Sequence, residues 1–175
     1  MLKGNAVIAN SEYTAKKISE NYSYDISNID IIPRGVSSSD YTSNNFSEKE
    51  IIDLKRKWII KDDQKVILLP ARYSKWKGHE LAIRACSKIV EENPKLNISI
   101  IFIGNNVGNE KYVSNLEKLS NTLGISNYIK ILGNFENMPL AYHISDIILY
   151  PSIIPEPFGR VPIEAQAAGK IIIAS

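Results

Sequence analysis

The chain has 175 residues, enough for one domain with a substantial core and too few for a second complete one. Hydrophobic residues at 44%, charged residues at 23% and a net charge of +2 are ordinary for a globular protein; with bases and acids interleaved, they leave no basic patch to argue for nucleic acid or an anionic membrane. The single cysteine, Cys86, excludes an intramolecular disulfide and fits a reducing cytoplasm, no apolar run is long enough to cross a bilayer, and residues 1–5 lack a signal-peptide core.

In chain order, Ala6 to Ala9 reads as a short buried strand, and Asn10 or Ser11 caps a helix carrying Ala15, Ile18 and Tyr22 on one face. Ile29 to Ile32 is a second short strand, stopped by Pro33. The run from Arg34 to Asn45 is small and polar, which marks a linker or a long surface loop. Ser47 and Glu50 form a capping box that opens a helix with Ile51, Leu54 and Trp58 inward. Then strand and helix alternate. Strands are expected at Val66–Leu69, Ile98–Ile103, Tyr128–Leu132, Ile147–Tyr150 and Ile171–Ala174. The helix near Gly78 to Val90 is expected to bury Leu81, Ala82, Ala85 and Ile89, with Cys86 on its inner face as a packing residue. Tyr112, Leu116, Leu119 and Leu123 line another helix that Gly124 ends; Met138–Ile144 and Val161–Ala168 are shorter ones. The strands are unbroken apolar runs without a polar face. That is the pattern of a parallel sheet covered on both sides, an α/β doubly wound domain.

In such sheets ligands sit beyond the carboxyl ends of the strands, so the loops after Leu69, Ile103 and Tyr150 are the ones to inspect. The first holds Arg72, Lys75 and Lys77 before Gly78 at a helix start. Cations beside helix N-terminal N–H groups suit a diphosphate, although such residues also pair with surface carboxylates. The third holds Glu156 in a turn where Pro157 and Gly159 let a ligand approach the backbone, and Glu164 lies on the next helix. Carboxylates accept well from vicinal hydroxyls, so a sugar or ribose is a fitting partner; Glu164 in a helix N-terminal turn could instead serve the helix dipole. His79 beside the first loop is a weaker candidate for a ligand contact. His143 is far from it in sequence, and no Cys/His/Asp cluster at metal-ligand spacing is present. A G-x-G-x-x-G fingerprint, a Walker A loop and a nucleophile elbow are all missing.

Four segments resemble the retaining glycosyltransferases of family 4, with the GT-B fold. Val7-Ile8-Ala9-Asn10-Ser11-Glu12-Tyr13-Thr14 resembles the end of the acceptor-side domain, and Ile32-Pro33-Arg34-Gly35-Val36 the interdomain motif I-P-N-G-V. Ala71-Arg72 through Lys77-Gly78 resembles the loop G-R-x-x-x-x-K-G, and Glu156 through Glu164 the motif E-x7-E, continued by Gln166-Ala167-Ala168-Gly169. Arg34 and Ala71 depart from the family's Asn and Gly.

The resemblance implies a Rossmann-like half of a GT-B fold. Residues 1–33 would be the end of the acceptor-side domain, 34–46 an interdomain linker, and 47–175 a donor-binding domain incomplete at its C-terminus. It implies that Arg72 and Lys77 hold a donor diphosphate, Glu156 the sugar hydroxyls and Glu164 the nucleotide ribose. Phe158 and Gly159 would offer backbone groups to the sugar, with no metal or other cofactor. Arg72, Lys77 and Glu156 are then the catalytic candidates, the two cations by stabilising the departing diphosphate.

The implied reaction moves a sugar from a UDP- or GDP-sugar to a polysaccharide or lipopolysaccharide acceptor with retention, in the cytoplasm or at the inner face of the membrane. An acceptor-binding half would come from elsewhere, and this chain alone would be inactive. A non-catalytic nucleotide-sugar module and a truncated remnant are the alternatives. The segment Asn5–Tyr22 is expected to pack on the sheet or on a neighbouring molecule, the latter giving a homodimer.

Overall fold

The computed structural model describes residues 4–175; the expectations that fall on residues 1–3 lie outside them. Two parallel sheets are present. The small one pairs β1 (Val7–Ala9) with β2 (Ile29–Ile31) around α1 (Glu12–Tyr22), whose N-cap Ser11 accepts from the Thr14 N–H. The five-stranded sheet holds β3 (Lys65–Pro70), β4 (Ile98–Ile103), β5 (Ile129–Leu132), β6 (Ile147–Tyr150) and β7 (Ile171–Ala174), in the order β5-β4-β3-β6-β7 with every pair parallel. Its helices are α2 (Glu48–Lys57), α3 (His79–Glu92), α4 (Glu110–Thr122), α5 (Met138–His143) and α6 (Arg160–Ala167). None of the helices among the described residues is long and apolar enough to cross a membrane.

The period of two along each strand splits the core in two. Leu68, Ile101, Ile103 and Ile148 face one way and meet Leu54 of α2, Tyr142 of α5 and Ala165 of α6. Leu69, Ile100 and Phe102 face the other way and meet Ile83 and Cys86 of α3 and Leu116 of α4. All six residues of β4 are buried, so this strand has no polar face to spare. Both sides of the sheet are covered, as the apolar strands require. The doubly wound α/β class read from the sequence is the fold observed.

One local reading needs correction. Helix α3 turns Leu81, Ala85 and Ile89 outward and buries His79, Ala82, Ile83 and Cys86. Apolar residues are so dense along this helix that two stripes fit a period of 3.6. The docking of His79 under the preceding loop selects the second. Cys86 does face inward, and burial pushes its thiol up to about 11, which leaves it protonated and inert at neutral pH. The polar run 34–45 is largely exposed, as a surface loop is. It forms two short 3-10 turns, Ser38–Tyr41 and Ser43–Asn45, and Tyr41 is buried edge-on against Tyr142 at 5.8 Å.

The segment around α1 does not pack broadly on the large sheet. Val7, Ala9, Ala15 and Ile29 make a small core of their own, with Ile18 and Tyr24 against it. Tyr22, expected on the inner face of α1, is half exposed.

Candidate functional site

Strand order reverses between β3 and β6: the chain winds outward from β3 to β5, then returns to lay β6 on the other side of β3. This is the topological switch point, where the loops leaving two adjacent strands diverge and open a crevice. The loop after β3 carries Arg72, Lys75 and Lys77, and the loop after β6 carries Ser152, Glu156, Phe158 and Gly159.

The two loops are bound to each other. The Ile153 N–H donates to the Trp76 carbonyl at 2.9 Å. Gly78, at φ +75°, lets the Pro151 carbonyl come so near that a Cβ there would sit 1.8 Å from the oxygen. Across the crevice Lys77 Nζ donates to Glu156 Oε1 at 2.5 Å, with the side chains only 14% and 11% exposed. Ser152 Oγ donates to the same carboxylate oxygen, and the Lys77 ammonium lies 4.1 Å from the centroid of the Trp76 ring. Burial disfavours the Glu156 carboxylate, but the Lys77 ammonium and the Ser152 and Tyr150 hydroxyls outweigh it and hold its carboxyl below the ordinary range. The Tyr150 hydroxyl is buried beside it with a hydroxyl-to-carboxylate contact of poor hydrogen-bond geometry; burial first, then that contact and the charge of Glu156, raise its pKa.

Glu164 is 9% exposed on α6. The Tyr142 hydroxyl donates to one of its oxygens at 2.8 Å and Arg160 to the other at 2.8 Å. Each oxygen keeps a lone pair for a further donor. Arg72 is exposed, and no carboxylate among the described residues pairs with it. Thus the structure brings Lys77 and Glu156 into contact, sets Glu164 on the helix that follows their loop, and leaves Arg72 as an uncommitted cation at the β3 end of the crevice. Ser152 escaped the sequence reading. Its place four residues before Glu156, in a loop that follows a strand, was the available signal.

Two cavities flank the 156–159 turn. One, of about 490 Å³, is lined by Tyr150, Ser152, Glu156, Phe158 and Ser175. The other, of about 320 Å³, lies between Asn10 and Arg34 on one side and Glu156, Phe158, Gly159 and Arg160 on the other. A third cavity, of about 390 Å³, opens at the amino ends of β3 and β6, the wrong edge of the sheet for a ligand site. There Asp146 is committed to the Val66 N–H at 2.8 Å and to Lys65 at 2.9 Å. Among the described residues no three of His, Cys, Asp and Glu converge on one point.

His79 is not a ligand contact. It is fully buried between Tyr73, at 5.0 Å between ring centroids, and Phe102, at 5.4 Å. Burial pushes its pKa down to about 4, against a weaker opposing pull from the Ser74 and Ala71 carbonyls. Neither ring nitrogen makes a hydrogen bond of good geometry. In the unfolded chain the ring protonates near 6.5 and in the folded chain only near 4, so its contribution is complete above 6.5 and lost as pH falls through that window. His79→Leu, close in volume, is expected to lose about 3 kcal/mol less stability than the wild type between pH 7 and pH 4. Urea unfolding at the two pH values measures this; parallel acid losses in both proteins would show that the ring is protonated in the fold.

Residues 50–175 match the family Glycosyl transferases group 1. An uncharacterised glycosyltransferase of Methanocaldococcus jannaschii is 36% identical over 134 residues, 75% of this chain and 32% of that protein. The crystal structure of a glycosyltransferase from Rickettsia africae superposes with a TM-score of 0.90 at 32% identity, over 99% of this chain and 45% of that one. Anabaena HepE, solved in complex with UDP-glucose, superposes with a TM-score of 0.85 at 27% identity, over 98% of this chain and 44% of that one. The chain therefore spans less than half the length of these relatives. The family match covers well over half of the chain and includes both crevice loops, and on that ground the chain belongs to the glycosyl transferases group 1 family.

Proposed function

We propose that this chain is the donor-binding half of a retaining glycosyltransferase of family 4, and that the crevice between β3 and β6 takes a nucleotide diphosphate sugar. The observation that supports this best is the partly buried Lys77–Glu156 pair at the switch point, with Glu156, Phe158 and Gly159 lining one cavity. In the structure the two charges satisfy each other. A nucleotide sugar brings a diphosphate for the ammonium and hydroxyl donors for the carboxylate, so both groups exchange partners and neither is left buried and unpaired. Arg72, free of carboxylates, adds a second cation to the diphosphate. Glu164, steadied by Tyr142 and Arg160, accepts from the ribose.

In the transition state the sugar–phosphate bond lengthens and charge gathers on the departing diphosphate. Cations already in place need no reorganisation to stabilise that charge. Glu156, held anionic, fixes the sugar through its hydroxyls and favours positive charge developing on the ring. The acceptor, of polysaccharide or lipopolysaccharide type, requires a partner half, and we expect no measurable transfer by the isolated chain. The reading assigns no metal or other cofactor.

Titration calorimetry with UDP, GDP, ADP and UDP-glucose tests the donor site directly. One nucleotide is expected to bind saturably, with binding lost in Arg72→Ala. Glu156→Gln is expected to weaken UDP-glucose about tenfold or more and UDP little, because a charge-assisted hydrogen bond to a hydroxyl is lost while the diphosphate contacts stay. Equal weakening of both ligands would remove Glu156 from the sugar.

A further inference from the structure

We propose that the first turn of α1 is a latch on the donor loop, in which Ser11 is a positioning residue that orients the Phe158 amide toward the donor sugar. The proposal rests on the donor reading above, and it concerns residues 146 positions away from that loop in sequence.

The Ser11 hydroxyl donates to the Pro157 carbonyl oxygen, and Thr14 Oγ1 lies 3.3 Å from the same oxygen. Each hydroxyl has one proton to give. Thr14 Oγ1 is 2.8 Å from Asn10 Oδ1, which can only accept, so its proton goes there. The Thr14 N–H donates to Ser11 Oγ at 3.1 Å, filling an acceptor site on Ser11; the Ser11 proton has two acceptors in reach, Thr14 Oγ1 at 3.0 Å and the nearer Pro157 carbonyl oxygen, and the nearer one takes it. One branch, from the Thr14 N–H through Ser11 Oγ, therefore ends on the donor loop, and the other, from the Thr14 hydroxyl, ends on Asn10.

What this fixes follows from the peptide group. The Pro157–Phe158 bond is trans and planar, so its carbonyl and its N–H point in opposite directions. Pinning the oxygen on α1 aims the Phe158 N–H away from α1. No carbonyl among the described residues accepts from that N–H, and Phe158 lines both cavities that flank the turn. The turn has little other freedom. Gly159 sits at φ +76°, and a Cβ there would lie 2.2 Å from the Tyr150 hydroxyl. Because β1, α1 and β2 carry their own small core, a shift of that unit as a body would be felt by the loop through the α1 N-terminus. Donor affinity then depends on how α1 is seated.

Ser11 also caps α1, so the test must separate capping from latching. Ser11→Asp keeps a strong N-cap acceptor but cannot donate to a carbonyl, whereas Ser11→Thr keeps both functions. In Ser11→Asp, the Kd of the 1–175 chain for UDP-glucose is expected to rise about tenfold with the Kd for UDP unchanged; Ser11→Thr stays near the wild type. Wild-type affinity for UDP-glucose in Ser11→Asp, or equal loss of UDP, overturns the positioning role.

The carbonyl ¹³C resonance of Pro157 reads the latch without ligand. It is expected to move alike in Ser11→Ala and Ser11→Asp and to hold in Ser11→Thr; no movement overturns the latch itself. If the wild type binds neither UDP nor UDP-glucose, the donor reading fails, and the Pro157 resonance alone decides whether α1 holds the loop.

Discussion

Lys77→Met is expected to destabilise the fold by about 3–5 kcal/mol at neutral pH, and Lys77→Met/Glu156→Gln by much less. The asymmetry follows from burial. Glu156 is 11% exposed as a side chain, so removing its cation strands a desolvated carboxylate that the Ser152 and Tyr150 hydroxyls do not offset. Methionine keeps most of the lysine volume, so little of the loss comes from a cavity, although the contact of the ammonium with the Trp76 ring is forfeited too.

The pH dependence gives the sign. In the wild type the Glu156 carboxyl is held below its ordinary value, so it stabilises above the unfolded carboxylate pKa and that contribution fades as pH falls. In Lys77→Met burial is the dominant influence left, the pKa rises above the unfolded value, and the variant recovers stability relative to the wild type as pH drops from 7 to 5. Urea unfolding of the four proteins of the cycle at both pH values measures the coupling. Equal stability of Lys77→Met and the double variant at pH 7 would show that the pair is solvated and uncoupled.

What the sequence made legible was set by how local the causes were. The strands β3, β4 and β6 were readable because a buried parallel strand must be an unbroken apolar run, and α2 because Ser47 and Glu50 close a capping box within four residues: the Ser47 N–H meets Glu50 at 2.8 Å. The phase of α3 was not readable, since seven apolar residues between Leu81 and Val90 support two stripes and only docking chooses. The burial of Tyr41 within the surface loop was not readable because its partner, Tyr142, is remote in sequence.

The crevice shows the same division. The strand-end rule pointed to the loops holding Arg72, Lys77 and Glu156, and motif resemblance gave each a separate role. The contact of Lys77 with Glu156 across 79 residues belongs to the tertiary fold, as does the Ser11–Pro157 bond. Nothing near either end announces its partner. The consequence is that charge balance across the crevice, and the reach of α1 into it, are properties no motif describes.

Gly78→Ala is expected to be the most damaging single change of a small residue, at about 3–4 kcal/mol, with donor binding lost alongside stability. Two costs add. An L-residue at φ +75° pays about 1–2 kcal/mol for the left-handed conformation. The new Cβ would also sit 1.8 Å from the Pro151 carbonyl oxygen, and since that is backbone, no side-chain rotation relieves it. The loops after β3 and β6 must then separate, which pulls Trp76 from Ile153 and Lys77 from Glu156.

Gly124 provides the control. It lies at φ +69° with nothing within 4 Å of a built Cβ, so Gly124→Ala carries the conformational cost alone. Urea unfolding of both variants subtracts one from the other. An excess of about 2 kcal/mol in Gly78→Ala, with weakened nucleotide binding in that variant only, would tie the close approach of Gly78 and Pro151 to the integrity of the crevice. Equal losses in the two variants would mean that the loops part without cost, and that the narrow crevice is not what holds Lys77 against Glu156.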